Sequence, residues 1–317
     1  MRKTATIPNN PNVDWYWSVL GNQQNYYNFL IQKWQFAKKK FPSLNGYTGA
    51  VSRWAGKFFP PITEPLDVEL PWFGTLRLPA NSPSNRTYLA KRYELDVVEK
   101  IKSLSLKGTT AIDIGAHAGY YSRLLVDLGA YVVAFEPNPT SFRYLKRNMA
   151  GYTWKAREEE NFSHTLEECA LSYHSGNAYL SDVNDLEHGR VMKEGTYSIP
   201  VKTLDDYWDM FETEVSLIKI DVEGGEAGVL AGADAFLTAH RETALILEYA
   251  PIFLNQLGME HSSWKLLSGT LKHYGFSQYE VLEQGTKHAL EEGAFPYSGD
   301  VACFNLYFPP RRPVALS

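Results

Sequence analysis

Positive charge, cysteine and long apolar runs are all scarce in this chain. Its 317 residues carry 31 Lys and Arg against 36 Asp and Glu, a formal net charge of −5. No global basic field is therefore available to draw in nucleic acid or an anionic lipid surface. The densest basic run, Lys38-Lys39-Lys40, is short enough to read as a solvated helix end. Only two cysteines occur, Cys169 and Cys303, without metal-site spacing. They read as two free thiols in a reducing compartment. The N-terminus begins with Arg2 and Lys3, but Pro8, Asn9, Asn10 and Pro11 follow where a secretory leader needs an apolar stretch. No window reaches the ~18 apolar residues of a membrane span. The expectation is a cytoplasmic protein with no nucleic-acid or membrane partner. Its 44% hydrophobic and 21% charged composition suits a globular protein with a sizeable core.

Residues 14–40 are rich in aromatics, among them Trp15, Trp17, Tyr26, Phe29 and Trp34. Their loosely helical spacing suggests a helix docked by its aromatic face, with a lid or a homo-oligomer contact as the functional alternative. Pro60, Pro61 and Pro65 then mark a boundary, dividing a mainly helical extension (1–65) from a larger domain (66–317). Within that domain 66–78 reads as a β-hairpin around Gly74, and apolar residues at helical spacing predict a helix over 88–106. After it the chain alternates. Strands are predicted at 109–114, 131–135, 167–171, 217–221 and 244–249, and helices at 120–128, 141–149, 226–237 and 262–274. A closing antiparallel hairpin is predicted from 276–282 and 301–308. Continuous apolar strands alternating with helices imply an α/β fold, a mostly parallel seven-stranded sheet covered on both faces.

In such a sheet ligands bind beyond the carboxyl ends of the strands, and four of those ends carry acids: Asp113, Glu136, the pair Asp221 and Glu223, and Glu248. The first is followed by a turn, Gly115-Ala116-His117-Ala118-Gly119-Tyr120-Tyr121, whose glycines let backbone approach a ligand closely. The glycine spacing is not the G-x-G-x-x-G of dinucleotide sites, and the carboxylate of Asp113 would repel a pyrophosphate. An amino-acid moiety, as in S-adenosylmethionine, fits better. Glu136 lies 23 positions after Asp113 and ends a strand, where a carboxylate can accept both hydroxyls of a ribose. Pro137-Asn138-Pro139 then breaks the strand and provides a surface for an adenine.

Several segments in order resemble the FkbM family of methyltransferases: 113–121, Phe135-Glu-Pro-Asn138, Ala170-Leu-Ser172, Thr203-Leu-Asp-Asp206 and Leu217-Ile-Lys-Ile-Asp-Val-Glu-Gly-Gly-Glu226. The resemblance runs from about Tyr88 to Phe308. It implies a class I (Rossmann-like) methyltransferase fold and S-adenosylmethionine as donor, with S-adenosylhomocysteine as product. It also implies an oxygen of a sugar, polyketide or similar small metabolite as acceptor. Asp113, Gly115, Ala116, His117, Gly119, Tyr121, Glu136, Asn138, Ala170 and Asp221 become the cofactor-binding candidates. His117 stands where many relatives have Asn.

Methyl transfer to a hydroxyl needs alignment and a base near the methyl group, and Asp221, Glu223 and His117 are the catalytic candidates. Strand alternation puts Lys219, Asp221 and Glu223 on one side of an extended segment, where the lysine keeps the carboxylates ionised. Glu226 reads as an acid at a helix start. No resident metal is expected: the run Asp185, Glu187, His188 reads as loop polarity. Two other readings compete, an NAD(P)-dependent oxidoreductase and a catalytically inactive FkbM-like binding subunit.

Overall fold

The structure is a computed structural model. It describes residues 64–311 apart from 81, most of 83–92, 151–163, 183–190, 193, 196, 212–213, 250–259, 292–294 and 297–302. The aromatic run at 14–40, residues 1–63 of the 1–65 extension and the Asp185–Glu187–His188 run lie outside the described residues.

The chain opens with the hairpin β1 (Leu66–Leu70) and β2 (Gly74–Leu78), turned at Gly74, whose φ is 81°. Helix α1 (Leu95–Lys102) follows, then β3 (Thr110–Ile114), α2 (Tyr120–Asp127), β4 (Tyr131–Phe135) and α3 (Pro139–Met149). Five strands come next: β5 (His164–Glu167), β6 (Ala170–Leu171), β7 (Gly176–Leu180), β8 (Val191–Met192) and β9 (Tyr197–Lys202). A 3-10 turn at Asp205–Met210 leads to β10 (Val215–Ile220). Two short helices, α4 (Glu226–Ala231) and α5 (Asp234–Ala239), precede β11 (Ala244–Tyr249). Helix α6 (Glu260–His273) and the strands β12 (Gln278–Val281), β13 (Thr286–Ala289) and β14 (Phe304–Phe308) complete the order.

The main sheet has eight strands in the order β13-β12-β14-β11-β10-β3-β4-β5. β11, β10, β3, β4 and β5 are mutually parallel, and β14 enters antiparallel between β11 and β12. The predicted seven-stranded sheet is thus a mixed sheet of eight. The closing pair β12–β14 forms as predicted, but the hairpin proper is β12–β13, and the polar sequence of β13 hides it. The run 167–171 divides between two sheets. β4 gives way to Pro137 just beyond the last paired residues, Phe135 and Glu167; past that point the chain bends, and β6 pairs with β9 in a second, four-stranded sheet, β6-β9-β7-β8.

Two further boundaries differ. The predicted helix 226–237 is broken into α4 and α5 at Gly232, where a Cβ would lie 2.0 Å from the Ser172 carbonyl oxygen, so only glycine admits that approach. The helix predicted over 88–106 is interrupted at Glu94, which stands immediately before α1 with a left-handed φ of 40°, and α1 ends at Lys102.

Side-chain alternation splits the core. Ile112, Ile114, Ile218, Ile220, Leu245 and Leu247 pack with Val229, Phe236, Trp264 and Leu271 on the α4–α6 face. Ala111, Val132, Leu217 and Ile246 pack with Val97, Leu124, Leu145 and the β1–β2 hairpin on the other. Arg123 of α2 pins that hairpin, donating to the carbonyl oxygens of Phe73 at 2.8 Å and Thr75 at 3.3 Å. Strand order reverses between β3 and β10, so the ligand crevice of the sheet opens there, at the carboxyl ends.

Candidate active site

Period-two alternation decides what faces that crevice. Asp113 of β3 and Lys219 of β10 are ladder partners, and Glu248 of β11 pairs with Asn305 of β14. Together with Asp221, one step beyond β10, they project to the α1–α2 side of the sheet. The start of α1 and the first turn of α2 meet them there with Glu94 and Tyr121.

Lys219 is the centre of this group and is 1% exposed; it donates to Asp221 Oδ2 at 2.8 Å. Its ammonium also lies 4.5 Å from the Tyr121 ring centroid. Burial alone would push the lysine down, but Asp221, Glu94, Asp113 and Glu248 outweigh it and hold the group above its usual value. Burial works against ionisation of Asp221 too. Lys219, a hydrogen bond from Glu248 and the nearby His117 reverse that and keep its carboxyl below the ordinary carboxylate range. Glu248 is driven well up, by burial first and then by Asp221 and Glu94, so its proton serves the bond to Asp221. Tyr121 Oη donates to Glu94 Oε2, and Asn305 Nδ2 donates to Glu94 Oε1 at 3.4 Å. Burial raises Glu94. Asp113, raised by burial as well, accepts from Ser122 Oγ at 2.6 Å through Oδ2, while its buried Oδ1 has no partner.

The glycine turn is built by close approach. Gly115 has a φ of 84°, and a Cβ there would fall 1.8 Å from the Asp221 carbonyl oxygen. The N–H groups of Gly115 and Ala116 both donate to Phe135 O, at 2.9 and 3.0 Å. Gly119, at φ 88°, caps α2 against Leu145. The turn carries His117 in a left-handed conformation, φ 50°, and its N–H donates to Glu136 Oε2 at 2.7 Å. The other Glu136 oxygen accepts Asn138 N–H, also at 2.7 Å. Burial pushes Glu136 up to about 7 against the pull of those two donors. Asn138 spends its side chain capping α3, accepting from Thr140 N–H at 2.9 Å, with Pro139 at the first helical position. What Asn138 brings to the crevice is therefore its N–H.

The predicted residues thus converge, with one exception. Ala170 packs in the second sheet with Leu180, Ile199 and Val201 rather than among the charged groups. Glu223 holds a left-handed φ of 55° in the turn after β10, near enough to Glu248 and Glu226 to raise both. Glu226 begins α4 and accepts Gly224 N–H at 2.9 Å, with burial lifting it to about 7. Among the described residues, the three non-glycine positive-φ residues are Glu94, His117 and Glu223, and all three border the crevice. Strain gathered in one place is a mark of a functional site.

Sequence reasoning missed Glu94 and Asn305. Asn305 had a signal, as the lone polar residue of the strand Phe-Asn-Leu-Tyr-Phe. Glu94 had none, since an acid at a helix start is commonplace.

A family model described as the Methyltransferase FkbM domain matches residues 113–277. The chain belongs to this family. Glu94 and Asn305 lie on either side of the matched FkbM segment, so the charged group joins family residues to flanking ones. Among solved structures, the chain is similar to the FkbM methyltransferase of Methylobacillus flagellatus, at 18% identity and a TM-score of 0.40, covering 70% of this chain and 54% of that one. It spans about half the length of that relative. It is also similar to Aeropyrum pernix fibrillarin in complex with S-adenosyl-L-methionine, at 14% identity and a TM-score of 0.38, covering 67% and 73% of the two chains. No curated protein matches the chain in sequence.

Among the described residues no group of three or more His, Cys, Asp or Glu is placed to hold a metal, and no helix is long and apolar enough to cross a membrane.

Proposed function

We propose that this chain transfers the methyl group of S-adenosylmethionine to a hydroxyl of a small metabolite such as a sugar or polyketide. The residues present fit that donor. Glu136, its carboxylate oriented by two backbone N–H groups, retains acceptor capacity for the ribose hydroxyls. Gly115 and Gly119 leave a turn without side chains between Glu136 and Asp113, and the unpartnered Oδ1 of Asp113 is an acceptor for the donor's ammonium group. When bound, S-adenosylmethionine supplies an electrophilic methyl carbon on a positively charged sulfur.

The observation that carries transfer to oxygen is the placement of His117 on the glycine turn, which packs against Asp221 where Gly115 meets its carbonyl oxygen, with the histidine among the groups that lower the Asp221 carboxyl. A sugar-like hydroxyl needs its proton removed as it attacks. Asp221, locked below its usual range by Lys219, is a weak proton acceptor but a strong fixed negative charge. His117 is the better base, and Asp221 stabilises the imidazolium that forms. Lys219 and Glu248 position Asp221 from beneath. The crossing of the acceptor's proton to His117 and of the methyl group to its oxygen leaves S-adenosylhomocysteine and a methyl ether.

The reading is tested by calorimetric titration with S-adenosylhomocysteine, using wild type and Glu136→Ala, with NADH as control. Binding that the substitution weakens by tenfold or more supports it, and labelled donor then identifies the acceptor. A folded protein that ignores S-adenosylhomocysteine, or prefers NADH, overturns it. With the acceptor in hand, His117→Asn should lower kcat with little change in donor affinity.

A further inference from the structure

Four carboxyl groups, those of Glu94, Asp113, Asp221 and Glu248, act on the single ammonium of Lys219. Asp221 is held ionised by that ammonium, while burial raises Glu94, Asp113 and Glu248, so carboxyl groups outnumber cations in a corner shielded from water. Lys219 is 1% exposed, and Asp221, at 19%, is the end of the pair that opens to the crevice. Beyond Oδ1 of Asp113, assigned above to the donor's ammonium group, one further buried acceptor here lacks a partner: Oδ1 of Asn305, 4% exposed. Asn305 Nδ2 is occupied by Glu283 at 3.0 Å and Glu94 at 3.4 Å, which fixes the amide so that its oxygen remains the open atom. Carboxyl groups that a neighbouring cation would ionise, together with unfilled acceptors, suit this enclosed corner to a ligand that brings positive charge.

The corner also lies across the glycine turn from Glu136, on the β10–β11 side of the crevice. A donor held by its ribose at Glu136 loses one positive charge when its methyl group leaves, and its product is a neutral thioether. We propose that the Glu94–Lys219–Asp221–Glu248 corner reads that charge, so that the chain binds S-adenosylmethionine more tightly than S-adenosylhomocysteine, with Glu94 as the specificity-determining residue. The inference rests on the methyltransferase reading above. It adds that the product is released by loss of electrostatic attraction rather than by a change of shape. Glu94 suits the role because it is half-buried and its two oxygens are oriented by Tyr121 and Asn305. It also comes from outside the FkbM segment.

Three ligands separate charge from shape: S-adenosylmethionine, S-adenosylhomocysteine, and sinefungin, which carries an ammonium group where the donor has its sulfonium. Calorimetry on the full chain should give dissociation constants about tenfold lower for the two charged ligands than for the thioether. Glu94→Gln keeps the acceptor for Tyr121, gives up the long 3.4 Å bond from Asn305 Nδ2, which remains held by Glu283 at 3.0 Å, and removes the charge. It should weaken the charged pair about tenfold and the thioether less than twofold. Glu99→Gln, an exposed acid on α1 whose side chain is 71% exposed, should leave all three unchanged. Should Glu94→Gln fail to fold, the wild-type preference carries the test, and because the corner is shielded from water the preference should persist in added salt. Equal or tighter wild-type binding of the thioether overturns the inference, as does a Glu94→Gln effect equal on all three. Binding of none of them by a folded protein overturns the methyltransferase reading itself.

Discussion

Replacing Gly115 by alanine tests the geometry on which the site depends. The residue sits at φ 84°, and an added Cβ would lie 1.8 Å from the Asp221 carbonyl oxygen and 2.8 Å from its carbon. Both atoms are backbone, so no side chain can swing aside. The left-handed conformation costs an alanine about 1 kcal/mol more than a glycine. Relief of the clash must part the ends of β3 and β10, which are joined there by Asp221 N–H on Ile114 O at 2.9 Å. Breaking that bond in a buried setting adds about 2 kcal/mol, for a total near 3 kcal/mol. At about 2–4 °C per kcal/mol for a domain of this size, the melting temperature should fall by roughly 6–12 °C. The same displacement moves His117 N–H from Glu136, so S-adenosylhomocysteine affinity should fall by at least about tenfold. Differential scanning calorimetry and titration read the two effects. As a contrast, Gly269 lies inside α6 with nothing within 4 Å of its Cβ position, and Gly269→Ala should raise stability by up to about 1 kcal/mol. A Gly115→Ala protein that melts and binds like wild type would refute the close approach.

Two further substitutions probe the charged groups. Lys219→Met removes the ammonium hydrogen-bonded to Asp221 and should destabilise by about 3–5 kcal/mol. Asp221 lies below its usual range, so its stabilisation is present above the unfolded carboxylate pKa and lost as pH falls through the folded one. The deficit of the variant, followed by chemical denaturation, should shrink across that acid window. Glu226 is the opposite case, raised from 4.5 to about 7. The folded state then holds a proton that the unfolded chain has shed, and stability falls as pH rises from about 4.5 to about 7. Glu226→Gln keeps an acceptor for Gly224 N–H, so it should match wild type near pH 4 and exceed it by up to about 3 kcal/mol near pH 8. Equal curves at both ends would contradict the buried, unpaired acid.

The sequence exposed the parallel half of the fold because buried strands such as Ala-Ile-Asp-Ile and Leu-Ile-Lys-Ile announce themselves as apolar runs between helices. It did not expose β13, whose Thr-Lys-His-Ala has no apolar face, or the second sheet, whose strands are short and half-exposed. It also read 167–171 as one strand, since nothing local records that β4 ends opposite Glu167. In the site, Asp113, Glu136, Asp221 and Glu248 were legible from their places at strand ends. Glu94 was not, because its function arises from contacts with Tyr121, 27 positions away, and Asn305, 211 positions away. No local pattern encodes such distances.

That last separation has a consequence in time. Among the described residues β14 is the last strand, yet it lies between β11 and β12, both of which precede it in sequence. Until it arrives, β11 and β12 each expose an unpaired edge, and Glu94 has no amide to orient it. The parallel strands and the glycine turn can assemble while the chain is still emerging from the ribosome. The acidic corner is completed only when that strand is in place, so under the proposed reading the glycine turn would form before the group that tells donor from product.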